Sequence, residues 1–292
     1  MNLARLQLFH AIEPGSRFWS DEIAKHDADE VLSGIREGRY DNARTNINRI
    51  KDRLAMRTGE ALAEEIERAG GRFITPEDDE WPHGINDLLA PPIGLIIRGE
   101  RVSCNSISIV GTRNPTTYGA RVASDFASGF SDRDFAIVSG GAYGIDTHAH
   151  RGAIAAEGKT YAVLASGISV NYPAGNERLF SEILENGALI SEVMPDEKAR
   201  PERFLTRNRL IAAIARATIV VEAAFRSGSL RTARDAAEIL RVVLAVPGPI
   251  TAPTSDGCHR LIGERSAEIV TSVADAMELI GAYTCTLCSD GS

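Results

Sequence analysis

Ile107-Ser-Ile-Val110 runs directly into Gly111-Thr-Arg113, and the same arrangement of a short apolar run ending in a glycine- or arginine-bearing turn occurs twice more. Phe135-Ala-Ile-Val138 leads into Ser139-Gly-Gly-Ala-Tyr-Gly-Ile-Asp146, and Thr218-Ile-Val-Val221 leads into Glu222 through Ser227-Gly-Ser229. Each run reads as a buried strand. In a parallel α/β sheet the turns that follow such strands emerge at one edge, so residues more than a hundred positions apart line a single crevice. Glycine frees backbone N–H groups, the following helices present their positive ends, and a turn arginine adds a fixed guanidinium, a combination suited to an anionic, phosphate-bearing ligand.

Outward from these three units the alternation continues. Apolar runs at Tyr161–Ala165, Ala188–Ile190 and Val242–Val246 are separated by helical patterns near 118–130, 145–157, 175–186, 207–216 and 229–240, with a closing helix near 272–281. Strands alternating with helices of this length predict right-handed βαβ crossovers and a doubly wound, mostly parallel sheet, an extended Rossmann fold. Ile93–Arg98 reads as an edge strand entering that sheet. Residues 1–70 contain no strand-like run: Ile47, Ile50, Leu54, Leu62 and Ile66 share one face of a helix predicted from Asn42 to Ala69, with Gly70-Gly71 as its stop. The expected organisation is a helical domain over 1–70, a Rossmann domain over 71–284 and a tail over 285–292.

With 292 residues the chain can bury a full α/β core without metals or disulfides. Its four cysteines form no disulfide framework, its amino terminus lacks a signal-peptide pattern, and no run reaches the length of a membrane span, which together predict a cytoplasmic protein that does not engage membranes. The net charge of −8 argues against a protein that coats nucleic acid indiscriminately. Between Lys198 and Arg241, however, ten basic residues face four acidic ones, a local net charge of +6 that predicts a focused anion site.

The turn after the first strand lacks the three spaced glycines of a dinucleotide-binding fingerprint, and the second strand ends in Ser139-Gly140-Gly141 instead of the acid that holds a ribose. No NAD, FAD or other cofactor is expected. Arg207-Asn208-Arg209 opens a predicted apolar helix and would set two guanidiniums and an amide at a positive helix end, a phosphate clamp; packing on Glu192 or Glu222 is the bland alternative. Gly111, Tyr143, Glu222, Ser227, Gly228 and Ser229 are candidate pocket-lining residues. Asp146 reads as a helix N-cap, His148 and His150 point in different directions and cannot share a metal, and Cys285-Thr-Leu-Cys288 is half of a zinc motif without a second pair. No metal site and no catalytic residue are expected.

The ordered set Ser108-Ile-Val-Gly-Thr-Arg113, Ser139 through Asp146 with Ala149-His150, Tyr172-Pro173, Ser191-Glu192, Arg207-Asn-Arg209, Val220-Val-Glu222, Ser227-Gly-Ser229 with Thr232-Ala233, and Ala245-Val-Pro-Gly248 resembles the DNA-processing protein A (DprA/Smf) family over roughly residues 73–280. The resemblance implies a single-stranded DNA-binding protein, not an enzyme, that dimerises and loads RecA recombinase on incoming DNA during natural transformation. It also implies a small helical, SAM-like domain at the amino terminus. Carried over by position, the DNA-binding residues are Arg113, Ser139, Gly140, Gly141, Arg207, Asn208 and Arg209. Gly257-Cys258-His259 stands where the family has Gly-Cys-Asn. The rival reading on the same fold is a nucleotide-binding protein or a nucleotide N-glycosidase of the phosphoribohydrolase type. Ser227-Gly-Ser-Leu-Arg-Thr232 and Asp235 depart from that enzyme's loop and acid.

Overall fold

The computed structural model describes residues 2–42 and 45–284. In chain order its elements are α1 (Leu3–Ala11), α2 (Arg17–Arg36), α3 (Ile47–Met56), α4 (Gly59–Arg68), β1 (Arg72–Ile74), β2 (Leu95–Gly99), β3 (Ser106–Val110), α5 (Thr117–Ser131), β4 (Ala136–Ser139), α6 (Ile145–Ala155), β5 (Thr160–Leu164), α7 (Glu177–Asn186), β6 (Ala188–Ser191), α8 (Pro201–Ile214), β7 (Ala217–Val220), α9 (Ser229–Glu238), β8 (Val242–Ala245), α10 (Asp256–Gly263), β9 (Glu268–Ile269) and α11 (Val273–Thr284).

The strands form one sheet in the order β1-β2-β6-β5-β4-β3-β7-β8-β9. From β6 to β9 across the sheet every pair is parallel, while β1–β2 and β2–β6 are antiparallel. The chain winds β3, β4, β5, β6 in one direction, and α8 then carries it back to lay β7 on the other side of β3. That reversal is the topological switch, and the crevice at the carboxyl ends of β3, β4 and β7 follows from it.

Successive strand residues point to opposite faces and helices cover both, so the central parallel strands are buried on both sides and mostly apolar, with small hydroxyl residues such as Ser108 and Thr218 bonded to each other inside. Ile107, Ile109, Ile137, Ile219 and Leu244 pack under α5, α6 and α11. Val138, Tyr161, Val163, Ile190, Val220 and Val243 pack under α8, α9 and α10 on the other face.

Three sequence expectations are corrected here. The helix predicted from Asn42 to Ala69 is two helices, because Arg57 and Thr58 are extended and the Thr58 hydroxyl accepts the Ala61 N–H as an N-cap. The 93–98 strand is not the edge: β2 lies between β1 and β6, since Phe73-Ile74 pairs with it before Pro76 intervenes. Helix α10, carried by Cys258 and Leu261 as its buried residues, was not read from the sequence at all. The amino-terminal helices have a core of their own around Trp19, Ile35 and Tyr40. Leu6, Phe9, Leu62 and Ile66 also join Ile96, Leu164 and Phe180 in a cluster shared with the sheet. No described helix is long and apolar enough to cross a membrane.

Candidate functional site

A cleft of about 320 Å³ opens at the switch point. The turn after β3 contributes Gly111 and Arg113, the segment after β4 contributes Ala142 and Asp146, the turn before α9 contributes Ser227, Gly228 and Ser229, and α8 forms the wall with Phe204, Leu205, Arg207, Asn208 and Ile211. The three turns singled out in the sequence do converge.

Arg207 is the deepest cation. Sequence reading places it at a helix start, whereas α8 begins at Pro201, with proline and Glu202 in the first turn setting the start six residues earlier. Arg207 therefore projects from mid-helix and is 7% exposed. Its Nη1 donates to the Val163 carbonyl at 2.8 Å and its Nε has no partner. Burial lowers its pKa to about 10, with Asp146 pulling it back up, so it remains charged at neutral pH.

Asp146, in the first turn of α6, accepts the backbone N–H groups of Gly140 (3.1 Å) and Ala142 (3.3 Å). Gly141 has φ +67°, which turns successive N–H groups inward as an anion nest. The nest is thus filled by the protein's own carboxylate, and the expectation that the glycine turn donates to a ligand is corrected. Ser139, Gly140 and Gly141 lie beneath the cleft: the Ser139 hydroxyl donates to the Ile109 carbonyl at 2.7 Å, and a Cβ on Gly140 would collide with the Arg207 guanidinium. Burial pushes the Asp146 carboxyl up, against the pull of Arg207 and the two N–H groups.

Arg209 points elsewhere. Its Nη2 donates to both carboxylate oxygens of Glu192 (2.5 and 2.7 Å) and its Nη1 to the Ala90 carbonyl at 2.7 Å, so the phosphate clamp of paired arginines does not form and the bland alternative holds for this residue. Two residues along a helix are a rotation of about 200°, so Arg207 and Arg209 leave α8 on opposite sides and do not serve one site. Asn208 does reach the cleft and donates to the Gly228 carbonyl at 3.3 Å, pinning the turn before α9. There the hydroxyls of Ser227 and Ser229 lie 2.7 Å apart at the positive end of α9.

At the mouth, the exposed Arg113 guanidinium lies over the Phe204 ring, 5.4 Å from its centroid. Phe204 in turn meets Tyr172 edge-on at 5.4 Å, and Tyr172 is 47% exposed. The sequence reading missed Phe204 and Leu205. A helix started at Pro201 would have revealed them, because Phe204, Arg207, Asn208 and Ile211 then fall on one face.

Two candidate lining residues are corrected. Tyr143 lies outside the cleft, its hydroxyl accepting the Gly175 N–H at 3.2 Å. Glu222 is buried, accepts from the Thr116 N–H (2.8 Å) and hydroxyl (2.6 Å) and from Thr254 (3.3 Å), and so holds the start of α5. The basic zone is also smaller than its sequence suggests. Arg203 pairs with Glu13 and Glu197, Arg209 with Glu192, Arg231 with Asp235 and Arg241 with Asp87, mostly acids from outside the stretch. His150 is a core residue bonded to Thr160 at 2.7 Å, and His259 meets the Gly248 carbonyl at 3.0 Å. No group of three or more metal-ligating side chains occurs among the described residues, and Cys285 and Cys288 lie outside them.

A doubly wound sheet whose switch-point crevice is lined by Arg113, Arg207, Ser227 and Ser229, with Phe204 at its rim, defines a Rossmann-like protein. The family described as DNA recombination-mediator protein A matches residues 72–281, and the chain belongs to that family. It is 41% identical over 297 residues to a DprA-named DNA processing protein of Mycobacterium tuberculosis, covering 92% of this chain and 76% of the relative. It is 39% identical over 202 residues to DNA processing protein DprA of Streptococcus pneumoniae, covering 68% and 71%. The X-ray structure of DprA from Streptococcus pneumoniae superposes with a TM-score of 0.82 at 31% identity, covering 95% of this chain and 98% of the other. DNA processing protein A from Helicobacter pylori, described for its single-stranded DNA binding mode, gives a TM-score of 0.64 at 27% identity, covering 73% and 96%.

Proposed function

We propose that this protein binds single-stranded DNA in the switch-point cleft and acts, without catalysis, as a cytoplasmic recombination mediator that hands the strand to RecA. The observation that carries the reading is the Arg113–Phe204–Tyr172 group at the mouth of a cleft floored by Arg207. Charge beside exposed rings is what an unpaired strand needs, since phosphates require neutralisation and bared bases require a stacking surface. Arg113 and Arg207 neutralise phosphates, Ser227, Ser229 and Asn208 hydrogen-bond the backbone, and Phe204 with Tyr172 receives bases. Ser139, Gly140 and Gly141 act one layer below by seating Arg207, and Arg209 acts structurally through Glu192. Such backbone contacts position a strand and read little sequence. The family's mediator description and the strand binding described for the Helicobacter pylori protein support the assignment. RecA loading, a homodimer and a place in natural transformation rest on the family alone. The commitment of Glu222 to Thr116 and Thr254 supports a binding role over N-glycosidic cleavage.

The test is fluorescence anisotropy with single-stranded, duplex and RNA oligonucleotides at two salt concentrations, beside mononucleotides. Affinity that rises with single-strand length and weakens with salt is expected. Binding of a mononucleotide as tight as that of an oligonucleotide overturns the reading in favour of a nucleotide sensor. Light scattering and RecA filament assembly on strands coated by single-strand-binding protein test the mediator role separately: a monomer that leaves assembly unchanged removes it.

A further inference from the structure

Glu13, in the turn between α1 and α2, and Glu197, in the loop between β6 and α8, sit among four arginines: Arg49 and Arg53 of the helical domain, and Arg200 and Arg203 at the start of α8. The inner pair is fully engaged. Arg53 and Arg203 are 15% and 6% exposed at their side chains, and together they donate four hydrogen bonds to Glu13, about as many as the lone pairs of a carboxylate accept. The outer pair is not. Arg49 and Arg200, 49% and 46% exposed, reach the same Glu13 oxygen from 3.3 and 3.7 Å, and Glu197 lies 3.9 Å from Arg200. Four guanidiniums against two carboxylates leave two positive charges in excess, and the weakly held arginines carry that excess on the solvent side. The buried His10 ring registers the field: burial first, then Arg53 and Arg57, lower its pKa to about 4 against a smaller opposing pull from Glu197.

This cluster shares the sheet edge of the cleft. Gly167 follows β5 and Glu197 follows β6, both at strand carboxyl ends; the Gly167 N–H donates to the Glu197 carbonyl at 2.8 Å and the Ser169 N–H to the Pro195 carbonyl at 3.0 Å. The loop fixed in this way carries Tyr172, whose ring meets Phe204 at the cleft mouth. On α8 itself, Arg200 is the N-cap and precedes Phe204 by four residues, about 6 Å of helix rise and a step that one extended nucleotide spans.

We infer that Arg49 and Arg200 form a second phosphate contact, met by a strand that leaves the cleft past Phe204 and Tyr172, so that the helical domain takes part in holding the strand. This rests on the single-strand reading above and lengthens its footprint. Neither arginine has to abandon a strong partner to turn toward a phosphate, because Glu13 keeps Arg53 and Arg203, and the junction between the helical domain and α8 stays closed.

The experiment titrates oligo-dT of about 5 and about 20 nucleotides, a span that brackets a cleft-sized and a longer site, against the full chain at several salt concentrations. The native chain is compared with the Arg49→Ala/Arg200→Ala and Arg49→Lys/Arg200→Lys double variants, with thermal melting to confirm folding. On the long strand the alanine pair should make the slope of log affinity against log salt shallower by about 0.7 for each arginine removed, while the short strand, which fills only the cleft, shows no change. The lysine pair, which keeps the charge, should retain the native slope. An unchanged slope on the long strand overturns the second contact, as does an equal change on both lengths, which would mean that the two arginines act on the cleft only through their field. Failure of the native chain to bind either oligonucleotide removes the single-strand reading itself and the second contact with it.

Discussion

Gly140 is packed against the guanidinium of Arg207 so closely that no side chain fits between them. The glycine-rich turn is therefore a socket for an arginine carried on α8, 67 residues further along the chain. With Asp146 closing the nest and the Val163 carbonyl holding Nη1, the guanidinium is fixed before any ligand arrives, so its ordering cost is met during folding.

The first prediction follows from that contact. Gly140→Ala should displace Arg207 and reproduce the loss of single-strand affinity expected of Arg207→Ala, about tenfold or more for a charge-assisted contact. Anisotropy titrations of both variants check it. A Gly140→Ala protein that binds like the native chain would show that Arg207 does not need its socket.

A second prediction separates the arginines by role. Arg113→Ala and Arg207→Ala should each make the slope of log affinity against log salt shallower by about 0.7, uniformly across base compositions. Arg209→Ala should leave the slope alone and destabilise the fold by about 3–5 kcal/mol, because it strands the buried Glu192 carboxylate. Arg234, exposed on α9, is the control and should change neither quantity. Salt titrations with denaturant melts distinguish these outcomes.

The third prediction concerns acid. Burial lowers the pKa of His150 to about 3 and that of His10 to about 4, from 6.5. Both folded values lie below the unfolded one, so each group contributes stability that is fully present above pH 6.5 and is lost as pH falls toward the folded value. His150 alone adds a slope of up to about 1.4 kcal/mol per pH unit in that window. His150→Leu should flatten the stability profile between about pH 6.5 and pH 4, and His10→Leu should act in the same direction. Profiles that superpose on the native one would show that these rings are already protonated in the fold.

How much of this was written in the sequence depends on the kind of signal. The strands from Ile107 to Val246 were legible because a parallel sheet buried on both faces leaves continuous apolar runs, and the three turns were legible because glycine and serine mark them. Partner choice was not. Whether an arginine meets a ligand or an acid depends on residues such as Glu13, Asp87 and Glu192 that only the fold brings near, so the +6 stretch looked freer than it is. Asp146 was read as a cap, and it does satisfy backbone N–H groups, but those of the preceding turn, which local periodicity does not reveal. The start of α8 was missed because Arg207-Asn-Arg209 looks like a helix opening, while Pro201-Glu202 carries the true signal; that error hid Phe204.

Phe204 carries the last prediction. Its ring lies between the Arg113 guanidinium and the edge of Tyr172, and it is only partly buried, so it has a face to offer a base at the mouth of the cleft. Stacking a base on an aromatic ring contributes about 1–3 kcal/mol, so Phe204→Ala should weaken single-strand binding by roughly tenfold. The salt slope should not move, because no phosphate contact is removed, and this distinguishes the effect from that of Arg113→Ala. Phe204→Trp should restore affinity, since a larger ring stacks and also accepts the cation of Arg113. A merely structural Phe204 would respond differently: the Trp variant would bind no better than Ala, and both would melt lower. Should Phe204→Ala shift the salt slope while leaving binding at low salt intact, the ring is only holding Arg113 in place and the strand does not stack there.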